Sequence, residues 1–204
     1  MRTQFSKFAL TAGIMLALAF TSASAQGVYF DIGFGVGSAT TKFDGKDAID
    51  NLKAAGYEIS SDFGVDIGFK VGYGPIAGAP VYVVGVFGGA GHSITSGSEN
   101  AQFNSYLLGP GIIVYPISLL QLSFSIGTSW IADQEDGHAL DWESDGGYAY
   151  DLSVAVDLGN DKHGCLLGIK YFGASNTLKD LPVKKQESSM IGVFVKYAFR
   201  TRGE

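Results

Sequence analysis

The amino-acid sequence predicts an all-β fold, a transmembrane antiparallel up-and-down β-barrel of about eight strands, on three observations. Apolar residues recur at every second position in segment after segment, the positions between them hold glycine and charge, and turns rich in Gly, Pro and Asn separate the segments. A strand with one face in lipid and the other in a polar barrel interior has this pattern.

The first 25 residues are expected to be a cleaved signal peptide. Arg2 and Lys7 precede an apolar run from Phe8 to Phe20, and Ala23-Ser24-Ala25 gives a small-x-small cleavage signature near Ala25. The run is shorter than the roughly 20 residues a spanning helix needs. Residues 26–204 are then one barrel domain, exported through the periplasm to the outer membrane. Cleavage removes two positive charges from a chain of net charge −6, which argues against a nucleic-acid partner. The lone Cys165 excludes an internal disulfide.

The first mature segment alternates Val28, Phe30, Ile32, Phe34 and Val36 with Tyr29, Asp31, Gly33, Gly35 and Gly37. The second runs from Phe63 to Tyr73, with Asp66, Lys70 and four glycines or acids on its other face. Val81–Ser93 and Gln102–Tyr115 are apolar on both parities, so their facing is not readable. Leu120–Trp130, Tyr148–Leu158, Leu167–Tyr171 and Ile191–Phe199 alternate again. Most of these segments reach or exceed the roughly nine to eleven residues with which a tilted strand crosses a bilayer.

The connections alternate as well. Residues 74–80, 115–118 and 159–164 are short and turn-like, whereas longer polar stretches lie near 42–60, 92–101, 132–147 and 174–188. Short turns on one side and long loops on the other fit a barrel whose N-terminus starts in the periplasm.

A soluble barrel would share the period with its faces reversed. Glycine separates the two cases, because inward glycines make room in a narrow barrel and outward ones only weaken a strand. The predicted interior polar network is Asp31, Asp66, Asp151 and Asp157 with Lys70, Lys170 and Lys196. A lysine turned to lipid at mid-depth costs roughly 2–4 kcal/mol, which fixes the facing. These charges are expected to pair as a polar plug, with Asp31 close to Lys196 across the closing strands. Aromatic residues near strand ends, among them Tyr29, Phe30, Tyr73, Tyr82, Tyr115, Trp130, Tyr148, Tyr171, Tyr197 and Phe199, are expected to form interfacial girdles.

The last strand, Gly192-Val-Phe-Val195-Lys-Tyr197-Ala-Phe199, resembles the carboxy-terminal assembly signal of outer-membrane proteins. With the export signal and the eight alternating segments, the chain resembles the small eight-stranded outer-membrane barrels, the OmpA transmembrane domain, OmpX and OmpW group. Members often end at the aromatic; here Arg200-Thr-Arg-Gly-Glu204 follows. The resemblance implies residence among outer-membrane lipid and lipopolysaccharide, and contact with the barrel-assembly machinery. It also implies the alternative of a narrow channel for small or apolar solutes.

The search for chemistry gives no catalytic, cofactor-binding or metal site. His92, His138 and His163 are scattered and expected in solvated loops, without metal-ligand spacing. Lipid A deacylases and palmitoyltransferases use the same barrel, and the His-x-Ser-Asn stretch of the deacylases resembles Gly173-Ala-Ser175-Asn176, where glycine stands in place of the base. Enzymatic activity is therefore not expected. The distinctive surface is the loop holding Asp133, Glu135, Asp136, Asp141, Trp142, Glu143 and Asp145. Its carboxylates are expected to meet divalent cations shared with lipopolysaccharide, and Trp142 an extracellular protein or other surface ligand. The predicted function is a structural or surface-interaction role through extracellular loops.

Overall fold

The computed structural model describes residues 27–201 except 77, 141, 160, 161 and 180. The expected cleavage site near Ala25, Asp141 and the last three residues lie outside the described residues. Eight long strands are formed: β1 Gly27–Phe43, β2 Ser61–Gly74, β3 Val81–Ser96, β4 Glu99–Ile117, β5 Leu120–Ile131, β6 Glu143–Asp157, β7 His163–Lys179 and β8 Lys185–Arg200.

Each strand pairs antiparallel with its sequence neighbours, and β1 pairs with β8 over 15 register positions from Tyr29↔Arg200 to Phe43↔Gln186. The sheet closes on itself, so no long edge is left unpaired. Gly27 and Thr201, the first and last described residues, lie at one end of the barrel with the described residues of the connections 75–80, 118–119 and 158–162. The opposite end, the loop end, carries the described residues of 44–60, 97–98, 132–142 and 180–184.

The strands are longer than the periodicity suggests. β3 and β4 extend to a two-residue turn at Gly97-Ser98, where Gly97 has φ +60, so the expected loop over 92–101 is a tight hairpin. β7 and β8 likewise absorb most of 174–188. Polar residues there read as loop because polar side chains face inward at this level of the barrel, which removes the apolar-polar contrast.

The facing of β3 and β4, unreadable from sequence, is now defined. Tyr82, Val84, Val86, Ala90, His92 and Ile94 on β3 point inward, as do Phe103, Ser105, Leu107, Ile113 and Tyr115 on β4. This sector lines the interior with apolar side chains that pack with Leu166, Phe172, Met190 and Phe194 from β7 and β8. The interior is thus apolar along this sector and not polar throughout. Both parities are apolar because one faces the bilayer and the other faces this core.

The outward face is an apolar belt. Phe34, Ile67, Ile112, Phe124, Leu152, Ile169, Ile191 and Val193 are all exposed on it. Among the described residues, no Asp, Glu, Lys or Arg stands at the outward positions of β1 from Val28 to Thr40, of β2 from Phe63 to Tyr73, of β5, or of β8 from Ser189 to Phe199. Water would impose no such exclusion; lipid does. Tyr106 and Trp130 stack at 5.6 Å and 17° on this face beside Phe87, and Phe30 meets Phe69 edge-on nearer the termini. Tyr29, Tyr82 and Tyr115 depart from the expected girdles: they are at most 6 % exposed and point into the barrel. Their strand-end position suggested an interfacial role, but their parity is that of the interior.

A short helix, α1 Ala48–Ala54, begins after Asp47, whose Oδ1 accepts the Ile49 N–H at 2.9 Å and caps the first turn. Ala48 packs on the inward-facing Ile94 and Phe103, with Phe43, Ile49, Leu52 and Trp142 around them. This apolar cluster forms a lid on the loop end of the barrel.

Candidate functional site

Three polar layers stack along the barrel axis. At the terminal end Gln121 donates to the hydroxyls of Tyr29 at 2.9 Å and Tyr115 at 2.7 Å, and Tyr29 donates to Asp31 Oδ2 at 2.9 Å. Arg200 donates to Tyr115 and to Asp157, and its guanidinium lies 4.9 Å from the Tyr115 ring centre. The sequence reading missed Arg200 by treating it as tail beyond the closing aromatic. It shares the inward parity of Lys196, and it brings the interior cations level with the four aspartates.

The middle layer holds the predicted network. Lys170 Nζ lies 2.7 Å from Asp66 Oδ2 and 2.9 Å from Asp151 Oδ2; Lys70 Nζ lies 3.2 Å from Asp151 Oδ1 and donates to Ser123. Lys196 Nζ stands 3.6 Å from Asp31 Oδ1, beyond hydrogen-bond length, and 4.9 Å from the Phe194 ring centre. All these side chains are almost fully buried. The glycines follow the charges in register: Gly33 lies opposite Lys196, Gly35 opposite Asp66, and Gly192 opposite Lys170. A Cβ on Gly33 would come within 2.3 Å of Lys196 Cγ, and one on Gly35 within 2.1 Å of Asp66 Oδ1. Long charged side chains occupy the space their glycine partners leave open.

The third layer, beneath the lid, contains His92, expected in solvent but only 2 % exposed. Its Nε2 is 2.6 Å from Asp62 Oδ1 and its Nδ1 3.0 Å from Thr41 Oγ1. The parity of β3, unreadable beforehand, would have shown it facing inward. His163 stands at the terminal end, where Nδ1 is 2.7 Å from the Tyr197 hydroxyl, and His138 lies in a two-residue strand of the loop.

The acidic loop does not behave as one exposed unit. Asp133 is 2 % exposed: its Oδ1 accepts the Asn104 N–H at 2.8 Å and a Gln186 Nε2–H at 3.3 Å. Burial pushes its carboxyl up to about 7, against the lowering effect of the Asn104 and Gln186 donors. Glu135 is exposed in a two-residue strand that pairs with β4, and Asp136 turns the hairpin at φ +48 while accepting the Asn100 N–H at 2.8 Å. Trp142 is half-buried in the lid, edge-on to Phe43 at 5.9 Å, so it does not stand free for a partner. Asp145 is exposed, and Glu143 opens β6. Asp133 and Trp142 look like loop residues from their neighbours, yet both are drawn inward by the barrel mouth.

Gly192, Val195, Tyr197 and Phe199 lie on β8, the last three facing outward. Beyond Phe199 the chain is still paired: Thr201 N donates to Val28 O at 2.8 Å, and Thr201 Oγ1 accepts from Val28 N at 2.7 Å. Asn176 shares the inward parity of Lys170 on β7, and Ser175 has the opposite parity.

A closed eight-stranded ring, an uncharged apolar exterior and a packed ionic interior define the class: a transmembrane β-barrel membrane protein. No protein-family model and no curated protein matches the sequence. Among solved structures, the outer membrane protein OprG from Pseudomonas aeruginosa is similar over 88% of this chain and 98% of its own, at 13% identity and TM-score 0.43. The attachment invasion locus protein Ail of Yersinia pestis is similar over 84% of this chain and 99% of its own, at 13% identity and TM-score 0.45. The outer membrane protein AlkL is similar over 89% of this chain and 93% of its own, at 12% identity and TM-score 0.36.

Proposed function

We propose that this chain is an integral outer-membrane protein of a Gram-negative-type envelope, non-conducting, with a structural or surface-interaction role carried by its loop end. The observation that carries this reading is the filled interior. The Lys70, Lys170, Asp66 and Asp151 layer crosses the lumen, and the α1 lid covers the loop end above it. An eight-stranded barrel has just enough interior for its own side chains, which leaves no water-filled path for a solute.

Function then falls to the surface beyond the membrane. The loop 44–60 and the β3–β4 hairpin flank a cleft of about 560 Å³ lined by residues 56–60 and 96–99, with Tyr57 42 % exposed and Glu58 and Glu99 beside it. This cleft is a better contact surface for a protein or lipopolysaccharide than Trp142. The signal-like residues 1–25 support export, and the outward Val195, Tyr197 and Phe199 support recognition by the barrel-assembly machinery. No catalytic role is proposed: the His92 imidazole is taken up by Asp62 and Thr41, and Thr41 is fully buried.

Single-channel recording of the purified, refolded protein in planar bilayers tests the reading. The expected result is the absence of steady current. A reproducible open-channel conductance would favour the alternative of a narrow solute channel.

A further inference from the structure

Beneath the lid, the barrel gathers buried polar atoms that have no hydrogen-bond partner among the described residues. They are Ser129 Oγ on β5, Asp133 Oδ2 just past β5, Gln186 Oε1 on β8, and both Oδ1 and Nδ2 of Asn176 on β7. Each of these four side chains is at most 2 % exposed. An unpaired buried polar group is costly, and each one in a native structure calls for a partner such as a water or an ion.

The strand register brings them to one level. Asn176 lies opposite Gln186, Gly147 lies opposite both Asn176 and Ser129, and Gln186 is joined to Asp133 by the 3.3 Å hydrogen bond. Gly147 faces inward with no side chain; a Cβ there would come within 2.7 Å of Asn176 Oδ1. A serine pair, Ser105 Oγ to Ser188 Oγ at 3.0 Å, crosses the barrel next to this level, and Phe43, the register partner of Gln186 on β1, belongs to the lid. The result is a buried, oxygen-rich cluster on neighbouring strands, the chamber beneath the lid.

We propose that this chamber is a binding site for one hard cation of the calcium class, held by Asp133 Oδ2, Asn176 Oδ1, Gln186 Oε1 and Ser129 Oγ. Every donor is oxygen, which selects hard cations over zinc or copper. Among the described residues no three His, Cys, Asp or Glu side chains converge, so the donor set is mainly neutral, with a single carboxylate. Few charged ligands place such a site at the weak end of calcium affinities, about 10⁻⁴–10⁻³ M, the range of extracellular modules. Magnesium demands stricter octahedral geometry and parts with its waters reluctantly, so it fits less well. Asn176 Nδ2, the remaining unpaired atom, donates to a water completing the calcium shell.

The test is calorimetric titration of the detergent-folded, chelator-stripped full chain with calcium chloride. The expected result is one saturable site. Asp133→Asn, which retains an acceptor for the Asn104 N–H, weakens binding at least tenfold, and Ser129→Ala weakens it severalfold. Glu135→Gln, an exposed carboxylate in the same hairpin, leaves it unchanged. No saturable binding would overturn the proposal and assign the chamber to buried water, and a loss on Glu135→Gln equal to that on Asp133→Asn would assign the binding to the surface. Should Asp133→Asn fail to fold, an undiminished affinity in Ser129→Ala overturns the proposal.

Discussion

Lys170 Nζ lies 2.9 Å from Asp151 Oδ2, and the second oxygen of the same carboxylate faces Lys70 at 3.2 Å, so one aspartate on β6 ties together β2 and β7 across the lumen. Asp151→Asn leaves both lysines buried with fewer counter-charges. Removing one member of a buried pair costs about 3–5 kcal/mol, whereas replacing the group by well-packed apolar residues is often close to neutral. Urea unfolding of Asp151→Asn in lipid vesicles is therefore expected to show a loss of that order. The double change Asp151→Leu with Lys70→Met is expected to cost less than Asp151→Asn.

The closing strands provide a weaker pair for comparison. Lys196 and Asp31 sit 3.6 Å apart, without a hydrogen bond between them, and Asp31 is held on its other oxygen by Tyr29. Lys196→Ala is expected to destabilise the barrel more than Lys196→Ala combined with Asp31→Ala. The coupling in this double-mutant cycle should be smaller than that between Lys170 and Asp151. Additive effects would show that the two charges are neutralised by others in the layer.

Glycine placement gives a steric prediction. Gly33→Ala drives a methyl group toward Lys196 Cγ and the Val195 carbonyl, whereas at Gly68 the nearest atom to a new Cβ is Lys196 Nζ at 3.8 Å. Overpacking of this kind costs about 1–3 kcal/mol. Gly33→Ala is expected to lower stability by that amount and Gly68→Ala to be tolerated. Equal losses at both positions would mean that strand propensity, not lumen space, governs these glycines.

Much of this architecture was legible in the sequence because lipid imposes a strict two-residue period. That period placed Asp31, Asp66, Lys70, Asp151, Asp157, Lys170 and Lys196 on the inner face, where all of them lie. It gave no answer for β3 and β4, whose inward Val84, Val86 and Leu107 are as apolar as their outward neighbours. Reading Tyr29, Tyr82 and Tyr115 as girdle residues gave position along the strand more weight than parity. His92, Asp133 and Trp142 escaped for another reason: the interior is polar near the loop end, so strand, loop and lid have similar composition there. Only the tertiary contacts separate them.

Asp133 gives the stability a pH dependence of unusual sign. Its carboxyl is raised to about 7 in the folded chain, so the folded state binds the proton more tightly than the unfolded one. Asp133's own contribution to stability, measured in the presence of chelator, is then greatest below the unfolded carboxylate range near pH 4 and is lost as pH rises toward 7, by an amount on the order of a few kcal/mol. Asp133→Asn should flatten this slope and raise the unfolding midpoint at pH 8 above that of the parent chain. A slope unchanged in Asp133→Asn would trace it to another group.

Trp142 offers the sharpest contrast between the sequence reading and the structure. As an exposed anchor for a partner, it would be removable without structural consequence. Packed edge-on to Phe43 at 5.9 Å in the cluster with Ala48, Leu52 and Phe103, it instead holds the lid to the barrel. The lid rests on few contacts compared with the barrel, so it is expected to open locally while the strands stay paired. An aromatic contact of this kind contributes about 0.5–1.5 kcal/mol beyond its buried area. Trp142→Ala should therefore speed proteolytic cleavage within residues 44–60 roughly tenfold, while the heat-modifiable gel mobility of the barrel stays as in the parent chain. Leu52→Ala, on the helix side of the same cluster, should act in the same direction. Unchanged cleavage in both variants would show that this apolar cluster does not hold the lid to the barrel.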